Sequence, residues 1–98
     1  LLIYTSGVWL YGDTGREMVD ESSPLAPPPL VEPRKATEQL VLEADGGELR
    51  TIVIRPGCVY GGQGGLTASW FQAAREHGAV RIVGEGGKRG AKVHVEVL

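Results

Sequence analysis

A chain of 98 residues has room for one small domain, and a domain of that length buries only about 60 to 65 per cent of its unfolded surface, so a thin core is expected. Hydrophobic residues at 42%, charged residues at 22% and a formal charge of -2 describe an ordinary globular chain, with no electrostatic case for nucleic acid or an anionic membrane as partner. The lone Cys58 excludes an internal disulfide, no Cys/His set has metal-ligand spacing, and no apolar run is long enough to span a bilayer; these features point to the cytoplasm or another reducing compartment.

In chain order, residues 1–5 form a continuous apolar run, the pattern of a strand covered on both faces as in a parallel sheet. Ser6-Gly7 ends it, and a short apolar stretch from Val8 to Tyr11 leads to the turn cluster Gly12-Asp13-Thr14-Gly15. Pro24, Pro27, Pro28 and Pro29 then impose an extended connection, because proline fixes φ and biases its predecessor away from helix. From Pro33 to Ala44 the spacing predicts a helix with Ala36, Leu40, Val41 and Ala44 on the docked face. Lys35 falls in its first turn, where the positive end of the helix dipole disfavours a cation, so a role outside helix stability is expected of it.

Residues 51–54 read as a second buried strand, punctuated by Arg55-Pro56-Gly57. A third unit follows: Thr67 as N-cap, a helix through His77 with Leu66, Trp70, Ala73 and His77 as its apolar stripe, Gly78 as its stop, and a strand over residues 80–83. Residues 93–97 alternate as a strand should. Several of the 15 glycines cluster at Gly61, Gly62, Gly64 and Gly65 and again at Gly84, Gly86, Gly87 and Gly90, which marks loops. Strand, helix, strand, helix, strand at this spacing predicts an α/β fold of parallel β-α-β units in one open sheet, and ligands of such sheets bind outside the carboxyl ends of the strands.

Four pieces in this order resemble the extended short-chain dehydrogenase/reductase family, the NAD(P)-dependent epimerases and dehydratases of nucleotide sugars. They are Ile3-Tyr4-Thr5-Ser6-Gly7-Val8-Trp9-Leu10-Tyr11-Gly12, Lys35-Ala36-Thr37-Glu38-Gln39-Leu40, Ile54-Arg55-Pro56-Gly57-Cys58-Val59-Tyr60-Gly61 and Val93-His94-Val95. The resemblance implies a Rossmann-like parallel sheet with flanking helices, of which residues 1–98 form the later portion. It implies NAD or NADP as cofactor, a small molecule or nucleotide sugar as substrate, and oxidoreductase chemistry; a homodimer is compatible with it. The Gly-rich phosphate turn is not found in this order, and its place would be upstream of Leu1.

In the family a Tyr phenolate moves the proton, a Ser or Thr hydroxyl orients the substrate oxygen, and a Lys four residues after the Tyr holds the nicotinamide ribose. Carried onto this chain, the Lys is Lys35, the Tyr position is Val31 and the Ser/Thr position is Gly7, so two of the three groups lack a transferable proton. Ser6 is the candidate catalytic surrogate, one residue away. Lys35, Pro56, Gly57, Cys58 and Val59 are the candidate cofactor-binding residues, with Gly57 expected to let the backbone approach the nicotinamide ring. Tyr11 and Tyr60 belong to turn motifs, Trp9 and Trp70 to packing, His77 and His94 to structural roles, and Cys58 also to a small side chain in a tight turn. The expectation is a dinucleotide-binding domain with weak or non-standard catalysis. The alternative is a non-catalytic scaffold or regulatory protein on the same fold.

Overall fold

The computed structural model describes all of residues 1–98, which divide into two units, Leu1–Pro56 and Gly57–Leu98. The first contains strand β1 (Leu2–Thr5), a 3-10 turn (Val8–Tyr11), helix α1 (Pro33–Glu43) and strand β2 (Thr51–Ile54). The second contains strand β3 (Cys58–Tyr60), helix α2 (Gly65–His77) and strand β4 (Lys92–His94). The protein is therefore a small α/β structure. No helix is long and apolar enough to cross a membrane.

In the first unit β1 and β2 pair in parallel, with Leu2 opposite Thr51, Ile3 opposite Ile52, Tyr4 opposite Val53 and Thr5 opposite Ile54. Parallel neighbours need a long crossover, and here it contains α1. Proline at the first helical position costs no hydrogen bond, and the approach is tightened by turns in which the amides of Val31 and Glu32 both donate to Pro28 O. The 3-10 turn places Leu10 at 0% exposure, the one hydrophobic side chain buried outright. The amide of Ala26 donates to Leu10 O at 3.0 Å, drawing the proline-rich connection over it.

The second unit repeats the scheme on a smaller scale. β3 and β4 pair in parallel, Cys58 with Lys92, Val59 with Val93 and Tyr60 with His94, and α2 lies in the crossover. Gly78 ends α2 in the left-handed conformation at φ 66°, as its position predicts, and its amide donates to Ala74 O.

Several expectations are corrected. The strands form two separate two-stranded sheets rather than one continuous sheet. Residues 80–83 form no strand: Ile82 and Val83 are strongly exposed and no neighbouring strand receives their backbone, without which an apolar run remains coil. The last strand ends at His94, because the amides of Val97 and Leu98 turn back to donate to His94 O. Helix α2 begins at Gly65 with Gly64 as its cap, so Thr67 lies inside the first turn. Its anticipated stripe is largely open, with Leu66, Trp70 and His77 exposed and only Ala73 half-buried. The docked face of α1 also differs. Leu40 is 71% exposed and Ala36 and Ala44 are exposed, whereas Val31, Glu38 and Val41 are turned inward.

Leu10→Ala is expected to lower unfolding free energy by about 2–5 kcal/mol, the range for a cavity in a core. Leu40→Ala, on the open side of α1, should stay within about 0.5 kcal/mol. Urea titrations of the two variants test the assignment; equal losses would show that Leu10 is not the centre of packing.

Candidate functional site

The ladder of β1 and β2 continues past their carboxyl ends. Ser6 N donates to Ile54 O at 2.8 Å and Val8 N donates to Pro56 O at 3.1 Å. These bonds set Ser6 and Gly7 alongside Arg55 and Pro56, at the end of the sheet where open α/β structures place their ligands.

Helix α1 brings a carboxylate to this end. Glu38 is 2% exposed, and Arg55 meets it side-on: Nε lies 3.0 Å from Oε1 and 3.2 Å from Oε2, and Nη2 lies 2.5 Å from Oε2. The remaining fork of the guanidinium donates from Nη1 to the Tyr11 hydroxyl at 3.0 Å. A planar guanidinium can satisfy both partners at once, which the point charge of a lysine could not do. Burial pushes the Glu38 carboxyl up, but the hydrogen bonds from Arg55, the nearby Ser6 hydroxyl and the Arg55 charge together hold it below the usual carboxylate range. The Glu38 hydrogen bond raises Arg55 above its ordinary value, against the opposing effect of burial, and Tyr11 adds to the rise. Glu38 is thus a fixed anion, and Tyr11 is already occupied as an acceptor.

Ser6 is 5% exposed; its Oγ makes no hydrogen bond of ordinary geometry but lies near enough to Glu38 to favour the carboxylate. A buried hydroxyl in that state faces Glu38 from the end of β1 and is only weakly satisfied there. Of the remaining candidates in the first unit, Pro56 is half-buried and accepts the Val8 amide, while Lys35 is exposed and lines an open groove with Leu25, Glu32, Gln39 and Leu42 that also reaches Glu38 and Arg55. Val31 is half-buried on the inward face, and Gly7 is extended at φ -170° with Arg34 as its side-chain neighbour.

Gly57, Cys58 and Val59 lie in the second unit, where strand pairing occupies them. A Cβ on Gly57 would fall 2.5 Å from the carbonyl of Ala91, so the missing side chain makes room for the chain leading into β4. Packing therefore accounts for this glycine without a ring against it. Cys58 N donates to Ala91 O at 2.8 Å, and Cys58 and Val59 pair with Lys92 and Val93. Gly61 has the same kind of constraint, since a Cβ there would strike the His94 imidazole, which meets Tyr60 edge-on with ring centroids 5.1 Å apart.

Sequence reasoning included Glu38 and Arg55 in its motifs but assigned neither a role. The available signal was a carboxylate within α1 and an arginine directly after β2, each at an element facing the other.

Glu38→Ala is expected to cost about 3 kcal/mol, because it leaves the Arg55 charge enclosed without its partner. A depressed carboxylate contributes stability that is fully present above its unfolded value, 4.5, and is lost as pH falls through the lower folded value. The melting-temperature gap between the native chain and Glu38→Gln should therefore be full above pH 4.5 and close as pH falls below it. A gap independent of pH between 7 and 3 would remove Glu38 as the ionised partner. Comparison of the chain with protein-family models, curated proteins and solved structures finds no match.

Proposed function

We propose that the chain is part of an NAD(P)-binding domain of the epimerase/dehydratase type, one that retains dinucleotide binding with weak or non-standard catalysis. The observation that supports this most is the buried Ser6 hydroxyl at the carboxyl end of β1, weakly held near Glu38 and beside the end of parallel β2. Such a hydroxyl suits the sugar and carbonyl oxygens that a nicotinamide site must orient. A bound nicotinamide would supply hydride transfer to or from a carbon that carries oxygen.

The chain's own groups limit what accompanies that chemistry. Glu38 is held ionised by Arg55 and does not donate a proton at neutral pH. Tyr11 accepts a hydrogen bond from Arg55, which ties its hydroxyl to the Glu38 pair. Val31 and Gly7 carry no proton to move. Ser6 can therefore orient a substrate oxygen, but no strong acid/base stands beside it, and slow turnover of a small ketone or nucleotide sugar follows.

Titration with NADH and NADPH, followed by nicotinamide fluorescence, should be saturable for at least one cofactor. At 100 times its Kd that cofactor should stabilise the chain by about 2.7 kcal/mol. Ser6→Ala should abolish any residual turnover while leaving dinucleotide affinity within about threefold, since only one uncharged hydrogen bond is lost. Absence of thermal stabilisation by both saturating cofactors would discard this reading in favour of a scaffold or regulatory protein.

A further inference from the structure

We draw no further inference here: the strongest candidate, the outer edge of β1, where Ile3 and Thr5 have no strand beside them and Leu2 and Ile3 stand exposed, is an unpaired apolar sheet edge, and nothing in the structure shows what covers it.

Discussion

The ion pair between Glu38 and Arg55 is the interaction on which the first unit depends. With Leu10 the one hydrophobic side chain buried outright, apolar burial alone leaves the helix weakly oriented. A hydrophobic stripe tolerates rotation of a helix, whereas a carboxylate gripped at three contacts by one guanidinium does not. The pair joins the middle of α1 to the end of β2, and through Tyr11 to the turn that follows β1. Buried charge pairs often add little net stability compared with apolar packing, but breaking one is costly, so the pair selects one orientation against its neighbours.

That orientation governs the site. Once Glu38 points inward, Arg34 and Lys35 must diverge, one toward Gly7 and one toward the groove. The same contact neutralises Glu38 and occupies Tyr11, leaving Ser6 as the weakly satisfied buried polar group at the strand end. The second unit uses glycine instead of charge: β3 is flanked by Gly57 and Gly61, whose missing side chains make room for Ala91 and His94. In both units a short parallel pair is held by a local device at its ends rather than by a broad core.

Much of the local structure was legible in the residues. Proline at the helix start, Gly78 as a stop and the β-branched run at residues 51–54 marked α1, α2 and β2 because these signals act over a few residues. The inward face of α1 was not legible. Ala36, Leu40, Val41 and Ala44 satisfy helical spacing, yet Glu38 is the residue buried, because Arg55, 17 positions away, compensates the cost of burying its charge. Residues 80–83 have strand composition but no partner, and composition cannot supply one.

The sequence by itself determined where most of the elements lie and that parallel strands are joined by helix-containing crossovers, since propensity, turn residues and element order are properties of neighbouring residues. The tertiary structure decided that the strands make two sheets rather than one, that Glu38 is the inward residue of α1, and that Arg34 packs beside Gly7 while Lys35 lines the groove that reaches Arg55. Those outcomes depend on which distant groups meet: a strand needs a hydrogen-bonding neighbour, and a buried carboxylate needs a cation that only the folded chain brings to it.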